Sequence, residues 1–354
     1  MELAINPSKI ISPLCYSVLR LEPYTNCSFN CVYCYARWYR SGKIAPRYKA
    51  LGMFEKVAKR LNARIPFRLA TLSDPLQDAE EKFGLSLKMM KVALKFEIPI
   101  VLCTKSDRVA KDPWKSVVEE LGDRGLVVVQ VSVSSLNRTD LEPRAPHPLK
   151  RLEALRSVEA PKVLRLQPLI PNYSFERAED FVSEVADFVD LITVEPLRVE
   201  RSELGFYYKF WDRWSDYSFG GDVVKVDAPD ILREIRDACD RYGLGFGLCK
   251  EGLFDLETGN CCGLDMIDAE LRPTLREIYK ELLLRGSIKL EEVPEILSDY
   301  LFGDRISGLP RQIRKALKYH ERVLMKVLRD GEALAHLTPL IRLRDGELVL
   351  SKPL

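Results

Sequence analysis

The residues best placed to do chemistry are Cys27, Cys31 and Cys34, in the run Cys27-Ser28-Phe29-Asn30-Cys31-Val32-Tyr33-Cys34-Tyr35. Three thiolates this close on one loop can hold three irons of a 4Fe-4S cube and leave the fourth iron open. An open iron is a reaction site. A structural zinc site asks for four closed ligands, usually as two separated cysteine pairs, and neither a second Cys-x-x-Cys pair nor a partner histidine lies nearby.

A second group is Cys249 with Cys261 and Cys262, flanked by Gly247, Gly252, Gly259 and Gly263. Glycines leave room for backbone to approach a bulky centre, and three thiols within fourteen residues suggest a second site. An auxiliary Fe-S cluster or another metal is the favoured expectation. A hydrogen-atom donor, a labile disulfide and a structural site are its rivals, because a vicinal pair cannot easily place both sulfurs on one metal. Cys15 and Cys239 stand alone in apolar runs and read as core residues.

These residues need elements to position them. Short β-branched runs at 17–23, 67–73, 98–104, 126–134, 162–169 and 190–196 alternate with amphipathic stretches at 48–62, 85–96, 114–121, 149–158 and 175–189. That is the pattern of an α/β protein, a partial (β/α)6 TIM-type barrel of parallel strands with an α-rich C-terminal extension. The strand 244–249 would extend the barrel edge, 203–221 is an aromatic segment expected to bury a helical face, and a turn at Arg344-Asp345-Gly346 separates two short C-terminal strands. The expected domains are a barrel core over 1–200, an extension with the second cysteine group over 201–267, and a mainly helical cap over 268–354.

Polar clusters follow the strands at one end: Ser73-Asp74-Pro75, Thr104-Lys105-Ser106, and Ser132-Val133-Ser134-Ser135 with Leu141-Glu142-Pro143-Arg144. Each alone could be a helix cap. Together, at the barrel end where such folds keep their chemistry, they predict a shared pocket, with Glu195 a further candidate and Cys103 read as a buried inert thiol.

The composition bounds the partners. With 46% hydrophobic and 30% charged residues, the chain can bury a core and is not disordered. The 54 basic and 52 acidic residues leave a net charge of +2, which supplies no overall field for nucleic acid. Without a signal peptide or a long apolar run, the expected compartment is the cytoplasm, without membrane insertion.

The cysteine loop, with an aromatic before its last cysteine, resembles the signature of the radical S-adenosylmethionine (SAM) superfamily. In their order, the loop, Ser73-Asp74-Pro75, Thr104-Lys105-Ser106, Val131-Ser132-Val133-Ser134 and Leu141-Glu142-Pro143-Arg144 resemble the spore photoproduct lyase-like branch, over about residues 14 to 200. The resemblance implies a 4Fe-4S cluster on Cys27, Cys31 and Cys34, and SAM contacts from Tyr33, Ser73, Lys105 and Ser132. It also implies reductive cleavage of SAM, hydrogen abstraction from a substrate, and an electron donor such as ferredoxin or flavodoxin. Spore photoproduct lyase itself carries a hydrogen-donating cysteine where this chain has Thr71, so thymine-dimer repair by that route is not implied. The substrate is left open among nucleic acid, by family analogy, and peptide, lipid or metabolite. The alternative is a non-catalytic Fe-S or zinc protein acting as electron carrier or binding module.

Overall fold

The computed structural model describes residues 3–5, 12–16, 19–39, 42–217, 221–299 and 306–351. Strand β1 (Leu3–Ile5) lies antiparallel against β2 (Leu19–Leu21). From β2 onward the neighbours are parallel: β3 (Phe67–Leu69), β4 (Ile100–Thr104), β5 (Val127–Val133), β6 (Lys162–Leu169) and β7 (Leu191–Pro196) follow in chain order. Ser17 and Val18, the start of the expected first strand, lie outside the described residues.

The chain then leaves the sheet. Strands β8 (Arg198–Glu200), β9 (Trp214–Asp216) and β10 (Val223–Val226) make a small antiparallel sheet in the order β8-β10-β9. The aromatic segment therefore departs from the expected helical face. Its helix is a single turn, Leu204–Tyr207, and Trp214 to Asp216 pair instead with Val226 to Val224, whose β-branched run offers an edge to bond. Tyr207 and Phe210 are buried, Phe206 and Tyr208 are exposed, and Phe219 lies outside the described residues. Strand β11 (Gly245–Leu248) returns to the main sheet parallel to β7, as the edge extension anticipated.

Parallel strands need crossovers, and helices supply them. Tyr48–Ala58 buries Ala50, Phe54, Val57 and Ala58, and Leu85–Lys95 buries Leu85, Met89, Met90 and Ala93, both at helical spacing. Every residue of β5 is buried, as a strand covered on both faces requires.

The C-terminal part packs Leu275–Arg285, Arg311–Leu328 and Gly331–Leu337 on a three-stranded sheet of β12 (Ser287–Lys289), β13 (Ile341–Arg344) and β14 (Glu347–Leu350). Asp345 and Gly346 both have positive φ, 47° and 82°, the backbone of a two-residue hairpin turn. Strand β12, three residues with one buried side chain, was too short to read from its sequence. No described helix is long and apolar enough to cross a membrane.

The open sheet curls around a plug. Asn260 to Gly263 enters its concave side, where the Cys261 carbonyl accepts from Thr193 Oγ1 at 2.9 Å and the Cys262 carbonyl from Gln130 Nε2 at 2.8 Å. Gly247 makes this possible, since a Cβ there would stand 2.8 Å from the Cys261 Cα. Gly263, at φ +67°, turns the chain between Val128 and Val163, which a Cβ would meet at 2.9 Å. The plug fills the lower interior with Tyr16, Val101, Val128, Val163, Leu191 and Leu264. Polar residues are left at the C-terminal ends of the strands.

Candidate active site at the strand ends

The cysteine loop follows β2 and is tied down on several sides. Ser28 N donates to Gln77 Oε1 at 2.7 Å, Val32 N to the Leu141 carbonyl at 2.9 Å, and the Tyr35 hydroxyl to the Thr71 carbonyl at 3.0 Å. Asn30 turns the loop at φ 49°, a conformation that asparagine tolerates. Cys27, Cys31 and Cys34 are in no disulfide and are partly buried. Burial pushes the Cys31 thiol up to about 12, opposed by Lys105 and reinforced by Glu142, Cys34 and Cys27, so the three sulfurs share one electrostatic environment. Binding iron there must displace protons, as thiolate ligation requires.

The polar clusters expected to converge do so, through carboxylates. Glu22, buried at the end of β2, accepts from Thr71 N at 2.7 Å, Leu72 N at 3.0 Å and Thr71 Oγ1 at 2.7 Å, while Ser73 Oγ lies 3.5 Å from its other oxygen. Asp74 bridges two strand ends: Oδ1 accepts from Thr104 Oγ1 at 2.7 Å and Oδ2 from Lys105 N at 2.7 Å.

Lys105 Nζ then donates to Ser132 Oγ at 2.8 Å and Glu142 Oε1 at 3.0 Å, and stands 5.6 Å from the centre of the Tyr33 ring. Glu142 is fully buried, pairs with Arg151 at 2.5 Å, and accepts from the Tyr33 hydroxyl. Burial pushes its carboxyl up, but Lys105 and Arg151 outweigh that and hold it at about 2. Tyr33, Lys105 and Ser132 thus form one unit joined to the cysteine loop. The Lys105 charge is already matched by Glu142.

Across the mouth, Glu195 at the end of β7 binds Arg198, Arg165 at 3.5 Å, and Gln167. Burial pushes Glu195 up, and Arg198, Lys250 and Arg165 bring it down to about 2.

The second cysteine group is also brought together. Cys249 and Cys262 each share a hydrogen bond with Cys261, and Cys249 another with Glu195. Arg68 Nη2 lies 3.2 Å from Cys262 Sγ. The Cys261 hydrogen bond, with Arg68 and Arg165, holds the Cys262 thiol well below its usual value against burial. Cys15 departs from its expected isolation, lying in the electrostatic field of Cys262 and Cys249, and Cys103, expected to be buried, is only partly so, near Arg68 and Arg165. Cys239 is core, its thiol pushed up to about 12 by burial.

Sequence reading missed Glu22, Arg68, Arg151 and Arg165. The strand residues had a signal: Arg68, Gln130, Arg165 and Thr193 are single polar residues between apolar neighbours, the mark of a strand face turned toward a polar interior.

The radical SAM superfamily model matches residues 21–186. No curated protein sequence matches the chain. Among solved structures, a spore photoproduct lyase with a tyrosine-to-phenylalanine substitution aligns with a TM-score of 0.50 at 15% identity, over 69% of this chain and 78% of that one. A spore photoproduct lyase double mutant with AdoMet and dinucleoside spore photoproduct bound aligns with a TM-score of 0.49 at 18% identity, over 66% and 76%. SuiB of Streptococcus suis bound to S-adenosylmethionine gives 0.44 at 13%, over 66% and 50%. At these identities the likeness is one of fold.

Proposed function

From the premise that this chain belongs to the radical SAM superfamily and is a radical SAM enzyme, we propose that the strand-end site cleaves SAM reductively to abstract hydrogen from a substrate bound beside it. The family implies SAM and a 4Fe-4S cluster. Cys27, Cys31 and Cys34 would hold the cluster by three irons, which fits three thiols on one pinned loop in a shared environment. When bound, the cluster supplies one electron that splits SAM into methionine and a 5′-deoxyadenosyl radical.

The chain's own residues bind and orient. Ser73, Lys105, Ser132 and Tyr33 are the proposed SAM contacts, as the family-branch pattern suggests. Lys105 is locked to Ser132 and Glu142, so it would serve as a fixed donor. Asp74 fixes the Lys105 backbone, and Glu22 fixes the turn that carries Ser73. The substrate would lie toward β6, β7 and β11, under Tyr35 of the loop. The Thr71 hydroxyl donates to Glu22, and a threonine O–H bond does not readily release a hydrogen atom, which separates this site from a lyase using a cysteine there.

One observation carries the reading: three cysteines on a loop bonded to the ends of β3 and the Leu141 segment, with Lys105 beside them. A non-catalytic electron carrier would have no use for the Asp74, Lys105, Ser132 and Glu142 array. Nucleic acid, peptide, lipid and metabolite all stay as substrate classes, with the lyase-like branch favouring the first. Ferredoxin or flavodoxin is the proposed donor, in the cytoplasm. The test is direct: anaerobic protein with reconstituted iron, dithionite and SAM should form 5′-deoxyadenosine and methionine in equal amounts, and intact SAM after reduction would refute the reading.

A further inference from the structure

Beside the mouth, a cavity of about 40 Å³ is bordered by Lys225, Lys250, Glu251, Tyr217 and His336, between the end of β11 and the C-terminal helix Gly331–Leu337. The Tyr217 hydroxyl is buried with no hydrogen-bond partner among the described residues. Lys250 Nζ has Glu195 Oε1 as its nearest carboxylate oxygen, at 4.0 Å, beyond hydrogen-bond reach, although only 24% of its side chain is exposed. Buried donors are almost always satisfied, so the unsatisfied Tyr217 hydroxyl beside a cavity points to an acceptor from outside the chain.

The charges say what kind. Lys225 and Lys250 line the cavity, Arg198 and Arg165 lie behind it on Glu251 and Glu195, and the Asp216 carboxylate at its rim is held by Arg201. Glu251 is shared by Arg198 at 2.5 Å and Lys225 at 2.6 Å, and Glu195 by Arg198, Arg165 and Lys250, so two carboxylates stand against four cations. Lys250 is moreover held at φ +66°, left-handed backbone that costs a side chain about 1–2 kcal/mol. Non-glycine residues in that region gather where surrounding structure holds a side chain for a task.

We propose that Lys250 and Tyr217, with Lys225 behind them, form a subsite for an oxyanion, a phosphate or carboxylate group, through which the enzyme anchors its substrate. The ammonium supplies charge, and both groups donate hydrogen bonds to the anion oxygens. The charges of Lys250 and Glu195 also act on the Tyr35 hydroxyl of the cysteine loop. The anchoring role rests on the radical SAM reading; the anion binding does not.

Holoenzyme should be titrated anaerobically by calorimetry with inorganic phosphate and, separately, with acetate, and the cluster signal recorded with and without SAM in the same preparations. Wild type should bind at least one of the two saturably, the stronger one identifying phosphate or carboxylate as the group. Lys250→Met should weaken binding at least tenfold, Tyr217→Phe severalfold, and Lys250→Arg should keep most of it, all with an unchanged SAM response. No saturable binding by wild type, or equal binding by Lys250→Met and Tyr217→Phe, would overturn the subsite. Tyr217→Phe keeps the ring and the fold, so the test survives poor folding of a Lys250 variant. Failure of the radical SAM reading would appear instead as a cluster signal indifferent to SAM.

Discussion

Replacing Cys27, Cys31 and Cys34 together by alanine should leave a folded protein with no iron, no sulfide and no 5′-deoxyadenosine from SAM. The fold should survive because the three side chains are only partly buried and the loop is held by other groups, among them Gln77, Tyr35 and the Val32 amide. Activity should vanish because no other described set of side chains offers three separated thiols at the strand ends. Metal analysis of the same variant also decides the fate of Cys249, Cys261 and Cys262. Near-stoichiometric iron or zinc that disappears only when those three are removed as well would establish a second centre. A metal-free protein would leave them as a thiol group set between Glu195 and Arg68.

Glu142→Gln should be the most destabilising single change in the site, by about 3–5 kcal/mol, because it leaves two buried cations without their carboxylate. Lys105 and Arg151 converge on Glu142 at 3.0 and 2.5 Å, and the Glu142 and Arg151 side chains are fully buried. Urea unfolding should show the loss, and adding Lys105→Met to Glu142→Gln should recover part of it. The pH dependence follows from the same pair. A carboxyl held at about 2 when folded stabilises the protein fully above its unfolded pKa, about 4.3, and loses that contribution as pH falls through the folded value. Wild type should therefore lose stability between those two values more steeply than Glu142→Gln. Equal stability of the two proteins at neutral pH would show that the pair contributes nothing.

The cysteine loop and the parallel strands were legible because their signals are local. Three cysteines in eight residues need no tertiary information, and runs such as Val127 to Val133 have the length and branching of a covered strand. The strand-end clusters were legible as a set, since a β/α barrel gathers successive strand ends at one face. Their wiring was not legible. That Glu142 would claim the Lys105 charge depends on Arg151, on a helix nine residues further along the chain, approaching it in space. The plug was hidden for the same reason: Gly247 and Gly263 read as room for a metal centre, whereas they make room for the backbone at Cys261 and for Val128 and Val163. Nothing local in the sequence marks Lys250, and only the structure shows it sharing Glu195 with Arg198 and Arg165.

The loop is expected to hold a cluster with one iron open to SAM. Electron paramagnetic resonance of the reduced, anaerobically reconstituted protein tests it most directly. The account predicts a 4Fe-4S signal from wild type whose g-values or line shape change on adding SAM, with no such signal from the triple alanine variant. A reduced cluster signal that SAM leaves unaltered, at concentrations well above those that saturate binding, would contradict it.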